Sequence, residues 1–290
     1  MRRFSLIKAF LLAGIIMAAL LIVGSILGRS MRSSREVTAV IPKEDAVRQP
    51  PETLDVTWNW LSRNAARNTY DPNGFTKENG IIRYRSGTVS SLQGLDLSAH
   101  NGEIDWEQVS GAGIDFVILQ LGYRGYTKGN LNVDTAFFRN LDDATAHGIA
   151  VGVYFFSQAT SADEAKEEAE YIVKTLAGCK LDLPVYFDWE TVQNGGRTDS
   201  VDQEQLSSYA LAFCKTIEDA GFKAGIYFNQ HAGYYSYNLD VLEDYSFWLA
   251  EYDSVPAFYF DFDLWQYSAD GTVAGISGQV DRNLLFVRAD

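Results

Sequence analysis

Asp188 and Glu190 close the run "PVYFDWE" (Pro184 to Glu190), two carboxylates separated by one tryptophan at the end of a strand-forming stretch. In a β-strand, residues i and i+2 share a face, so the two acids point together and Trp189 points away. Such a pair suits acid catalysis. One carboxyl, kept protonated by its neighbour's negative charge, donates a proton to a leaving oxygen, while the ionised partner stabilises the positive charge that develops. Asp96 in "GLDLS" lies at the end of the first strand candidate, and Asp281 in "QVDRN" lies in the last. A lone Asp at a strand end usually caps a turn or helix, but acids repeated at several strand ends point to a shared site.

Aromatic side chains recur at comparable places: Tyr154 and Phe156 in "VYFFS", Tyr227 in "IYFN", Trp248 and Tyr252 in "FWLAEY", and Trp265 and Tyr267 in "LWQY". Rings at strand spacing more often build a core. Together with the acids they would also suit a sugar, whose C–H faces stack on rings while its hydroxyls bind carboxylates. Tyr154, Tyr227, Trp248, Tyr252, Trp265 and Gln266 are the predicted substrate contacts.

The elements that must carry these residues begin at Ser91. "LQGLDLS", "FVILQLGY", "IAVGVYFFS", "LPVYFDWE" and "KAGIYFNQ" alternate with helical stretches, several ending at Gly148, Gly178 or Gly221. That rhythm predicts βα units in a parallel sheet. "YSFWLAEY", "FDLWQYS" and "QVDRNLLF" follow with little helix between them. Eight strands predict closure into an irregular (β/α) barrel of the TIM type, with about four good helices and few in its second half. Closure would make the last strand the neighbour of the first, and the acids would meet at the mouth where such barrels build their sites. An open doubly wound sheet is the alternative, but no Gly-rich phosphate turn supports it.

Upstream, Ala9 to Gly28 carries no charge. At about 1.5 Å per residue it is long enough to cross the roughly 30 Å apolar core of a bilayer. The run exceeds the usual core of a signal peptide and no convincing A-x-A site follows, which favours an uncleaved anchor over a cleaved leader. Flanking basic residues (Arg2, Arg3 and Lys8 before; Arg29, Arg32 and Arg35 after) are too balanced to orient it. The expected organisation is a cytoplasmic tip and transmembrane anchor over residues 1–29, an extracytoplasmic stem over 30–90, and a catalytic barrel over 91–290. Within the stem, "VIPKEDAVRQPPETLD" reads as an extended spacer and "IIRYRSG", set between turn signals, as a hairpin arm that docks on the main domain.

Residues 1–35 hold six of the 24 Lys and Arg and none of the 38 Asp and Glu, so the remainder is more acidic than the whole-chain net charge of −14. Such a surface repels nucleic acid phosphate and anionic lipid. The three histidines are scattered and no zinc-ligand spacing occurs, so neither a metal nor a cofactor is expected. Cys179 and Cys214 lie in apolar helical surroundings and read as small packed side chains rather than a disulfide.

"GLDLSAHNGEIDW", "PVYFDWE", "GIYFN", "FWLAEY" and "LWQYSADGTVAGISGQVDRN" together resemble, in order and spacing, glycoside hydrolase family 25, the bacterial and phage-type lysozymes that act as 1,4-β-N-acetylmuramidases. The likeness covers about residues 92 to 287. It departs at "AHNG", around His100, where the family often reads H-Q-G. The resemblance implies cleavage of the bond between N-acetylmuramic acid and N-acetylglucosamine in peptidoglycan glycan strands. It implies Glu190 as proton donor within the D-x-E motif, and Asp96 and Asp281 as the family's first-strand and last-strand acids. Asp188 would be either the nucleophile or a group that orients the substrate's own 2-acetamido nucleophile, and both routes retain configuration. Placement of both acids on one wall favours the second. An inactive wall-binding relative and another barrel glycosidase such as a chitinase remain as rivals, although the chitinase D-x-x-D-x-D-x-E pattern is absent. Because peptidoglycan lies outside the membrane, the barrel is expected to face the cell wall.

Overall fold

The computed structural model describes residues 65–192 and 196–289. The predicted anchor and the start of the stem lie outside the described residues. No helix among the described residues is long and apolar enough to cross a membrane.

Among the described residues, eleven strands form one sheet, and eight of them close into a barrel. The barrel strands are β3 (Val89–Leu97), β4 (Phe116–Arg124), β6 (Ala150–Ser157), β7 (Val185–Trp189), β8 (Ala224–Asn229), β9 (Ser246–Ala250), β10 (Leu264–Gly271) and β11 (Val280–Arg288). From β3 to β10 neighbouring strands are parallel, but β11 runs antiparallel to both β10 and β3. The all-parallel expectation fails at this strand for a local reason: no helix separates β10 from β11, so the chain turns back directly instead of crossing over. The reversal matters for the site. Asp281 stands near the start of β11, and because that strand is inverted its start lies at the same mouth as the C-terminal ends of the others, with Asp281 paired in register to Asp96.

Three connections carry full helices: α2 (Phe137–Ala146), α3 (Ala162–Thr175) and α4 (Gln203–Asp219). The first, α1 (Trp106–Gly111), spans only six residues, because "SGAG" ends it and Gly113 takes the left-handed conformation at φ 78°. After β8 only α5 (Gln230–Tyr235) and a 3-10 turn at Leu239–Val241 remain. Helix α3 illustrates how the sequence builds a cover. Ser161 caps it by accepting from the Glu164 N–H, Asp163 and Glu164 favour its positive end, and Ala165, Ala169 and Ile172 are buried along one stripe.

Strand parity divides the barrel residues into two sets. Outward-facing Val117, Leu119, Val153, Phe155, Val185, Phe187, Ile226 and Leu249 join the main core. Inward-facing Phe116, Ile118, Tyr186, Trp248 and Leu264 form a second, smaller cluster. This inner cluster plugs the barrel floor because small residues face large ones. A Cβ on Gly94 would stand 2.1 Å from the Phe116 ring, and one on Gly225 2.5 Å from Tyr186.

Residues 65–86 pack on this barrel. Strands β1 (Phe75–Glu78) and β2 (Ile81–Ser86) form an antiparallel hairpin, and β2 pairs with the start of β3. The hairpin read from "IIRYRSG" is therefore present, and β3 itself runs across the expected 90/91 boundary. Buried Tyr70 donates to the Phe262 carbonyl at 2.6 Å and stacks on Phe286. The fifth strand, β5 (Leu131–Val133), pairs antiparallel with the end of β4 outside the barrel. Cys179 and Cys214 are both unpaired, and Cys214 is fully buried.

Candidate active site

A cavity of about 750 Å³ opens at the mouth, lined by Asp96, Asp188, Glu190 and Asp281 with Tyr154, Phe156, Tyr227, Trp248, Tyr252 and Gln266. All four predicted acids thus reach one space. Of the six predicted substrate contacts, five line it and Trp265 does not. Trp265 is fully buried on the outer face of β10, where its Nε1 donates to the Glu251 carbonyl and its ring meets Phe75 of the hairpin at 5.6 Å. Adjacent strand residues face opposite ways, so once Gln266 points inward Trp265 and Tyr267 must point outward.

Asp188 is buried and one of its oxygens, Oδ1, has no hydrogen-bond donor. Burial, then the charges of Glu190 and Asp96, raise its pKa well above the carboxylate range. Glu190 sits one step further out, exposed to the cavity. The cleft walls still strip enough water to raise its pKa, with Asp96 adding to the rise. Like charges this close in a desolvated space cannot all ionise, so the pair retains a proton at pH values where ordinary carboxyls have lost theirs. The backbone that presents Glu190 is held from behind. Gln158 donates to the Glu190 carbonyl at 3.0 Å, and Trp189 Nε1 donates to the Ala159 carbonyl.

Asp96 occupies a different environment. Its Oδ2 accepts from Asn283 Nδ2 at 2.7 Å and from Gln266 Nε2 at 3.0 Å. Each donor is itself oriented. Trp248 Nε1 donates to Asn283 Oδ1, while the Tyr227 and Tyr252 hydroxyls both donate to Gln266 Oε1. Burial raises the Asp96 pKa and these hydrogen bonds oppose the rise. Asp281 hydrogen-bonds Asp96 and is pushed up to about 8 by burial and by the Asp96 charge. Two carboxyls can share a hydrogen bond only if one carries the proton.

Sequence reasoning missed Asn283, which is fully buried and carries the Asp96–Trp248 link. Its place two residues after Asp281 on one strand face was the available signal. Tyr123, near the end of β4, and Tyr126, on the β4–β5 connection, are exposed and also line the cavity; sequence reasoning missed both, although Tyr123 ends the run "FVILQLGY". His100, where the motif departs from the family pattern, lines the rim.

Residues 95–276 match the family described as Glycosyl hydrolases family 25. The chain is 29% identical over 208 residues to Lysozyme M1 of Streptomyces globisporus, covering 67% of this chain and 68% of that protein. It is 28% identical over 195 residues to the autolytic lysozyme of Clostridium acetobutylicum, covering 66% of this chain and 54% of that one. Among solved structures, the modular autolysin LytC of Streptococcus pneumoniae superposes with a TM-score of 0.60 at 25% identity, covering 74% of this chain and 52% of LytC. LytC has also been solved with a synthetic peptidoglycan ligand. The chain spans about half the length of the Clostridium and pneumococcal proteins.

Proposed function

Because the chain belongs to glycosyl hydrolases family 25 and is a glycoside hydrolase of the lysozyme type, we propose that it cleaves the β-1,4 bond between N-acetylmuramic acid and N-acetylglucosamine in peptidoglycan, with retention. The observation that carries this reading is the unequal placement of Asp188 and Glu190 in one cavity: one buried without a donor on Oδ1, the other open to a ligand.

Glu190, facing the open space with a raised pKa, donates its proton to the glycosidic oxygen as the bond breaks. Asp188, ionised while Glu190 carries the shared proton, accepts a hydrogen bond from the substrate's 2-acetamido N–H. The acetamido oxygen then closes on the anomeric carbon. Water opens that intermediate with Glu190, now ionised, as general base. The second wall binds rather than reacts: Asp96 and Asp281 hold sugar hydroxyls, and the exposed Tyr252 ring offers a stacking face. Support for substrate assistance comes from the position of both acids on one strand, which puts them on one side of the sugar ring.

The charge-free run Ala9–Gly28 supports a membrane anchor, with the barrel facing the wall. Incubation with purified peptidoglycan, followed by mass analysis, should release fragments ending in reducing muramic acid. Fragments ending in reducing N-acetylglucosamine, or none at all, would reject the muramidase reading. Fractionation of cells with external protease tests the anchor: full-length protein should stay with membranes, and the barrel should be digested from outside.

A further inference from the structure

Beside the active-site cavity lies a second one of about 570 Å³, and the two share Tyr252 and Ala269 as a common wall. Its chemistry differs from the first. Lys77 borders it on one side, and Asp253 and Asp270 border it as well, with the Ser254 and Ser268 hydroxyls near them. Lys77 comes from β1, outside the residues that match the family. Its direction is fixed by parity: Phe75 packs its ring on Trp265, and Lys77, two residues on, shares that face of the strand. Among the described residues no ion pair engages Lys77.

We infer that this second cavity binds the stem peptide carried by the muramic acid whose bond is cut, with Lys77 receiving a peptide carboxylate and Asp253 and Asp270 receiving a peptide amine. The inference rests on the muramidase reading and names the part of the substrate that selects for it. The N-acetylated glycan backbone is uncharged once its lactyl group is amide-bonded to peptide, so a cavity carrying both signs has nothing to pair with on the sugars. The stem peptide carries both signs and leaves the same sugar that occupies the cleft. Tyr252, most of its ring exposed and its hydroxyl fixed by Gln266, stands between the two spaces and would separate sugar from peptide. The hairpin thus supplies a specificity element that the barrel lacks.

The test compares two soluble synthetic substrates with the same glycan. One bears stem peptides with free carboxylate and amine, and the other has every lactyl carboxylate capped as a methylamide. For the wild type, kcat/KM should be higher on the peptide form. Lys77→Met should reduce kcat/KM on that form about threefold, the scale of an exposed ion pair. Lys77→Glu should reduce it about tenfold by adding repulsion, with the change in KM. Neither variant should move kcat/KM on the methylamide form by more than about twofold, and this arm also reports that the variants are folded, because an exposed lysine contributes little to stability. Equal losses on both forms, or no loss on the peptide form, overturn the proposal while leaving the muramidase reading intact. A wild type that cleaves neither form removes the reading itself, and the proposal falls with it.

Discussion

The two walls of the mouth use the same residue type to opposite ends. On the β3–β11 wall, Asp96 is tied by Asn283 and Gln266, and those by Trp248, Tyr227 and Tyr252, so each polar group has a partner. On the β7 wall, Asp188 is as deeply buried, yet Oδ1 has no donor, and its outer neighbour Glu190 faces the cavity. Donors stabilise a carboxylate and fix its place; their absence leaves a proton that moves readily. On the proposed function, one wall holds the substrate and the other transfers the proton.

The sharpest way to break that contrast is at Glu190. Glu190→Gln should lower turnover at least about a hundredfold, the usual scale for a general acid, with an unchanged circular dichroism spectrum. A folded variant at near-normal rate would remove Glu190 from the role. Asp188→Asn should also cost about a hundredfold by the loss of the orienting charge. It should raise the melting temperature at neutral pH, because a buried carboxyl lacking a donor is removed. Unchanged or lower stability would show that Asp188 is not strained.

The networked wall should answer in the opposite sense. Asn283→Ala strips a donor from Asp96 and leaves the Trp248 N–H without its acceptor, so stability should fall by about 1–3 kcal/mol, read by denaturant unfolding, with about a tenfold loss of activity. If activity fell as far as in Glu190→Gln while stability held, the division between the walls would collapse.

Titration separates the walls further. Asp281, raised in the folded protein to about 8, favours folding while both states are protonated, and that advantage is lost as pH climbs from about 4 towards 8. Asp281→Asn should therefore match the wild type in melting temperature near pH 4 and exceed it at pH 8 and above. The raised Asp188 and Glu190 likewise predict that activity persists above the ordinary carboxylate range and falls on the alkaline side as the shared proton is lost. The smallest effect belongs to Trp265→Phe. It deletes the donor to the Glu251 carbonyl outside the cavity, costing about 1 kcal/mol of stability and less than about a twofold change in kcat/KM.

Period-two alternation, the rhythm of strands and helices, turn signals and the positions of acids at strand ends are local properties, and they determined much about this chain. From them followed the (β/α) barrel, the reach of Asp96, Asp188, Glu190 and Asp281 to one mouth, and the hairpin before the first barrel strand. The same parity rule would have excluded Trp265 had it been applied to the pair with Gln266, since neighbours on a strand cannot share a face. Other features depended on which strand lies beside which. The inversion of β11, the link from Asn283 to Asp96 and Trp248, and the closeness of Lys77 to Tyr252 join residues far apart in sequence. Only the tertiary structure decided them, because strand order and the depth at which each carboxyl is desolvated are set by packing between segments, which no short stretch of sequence contains.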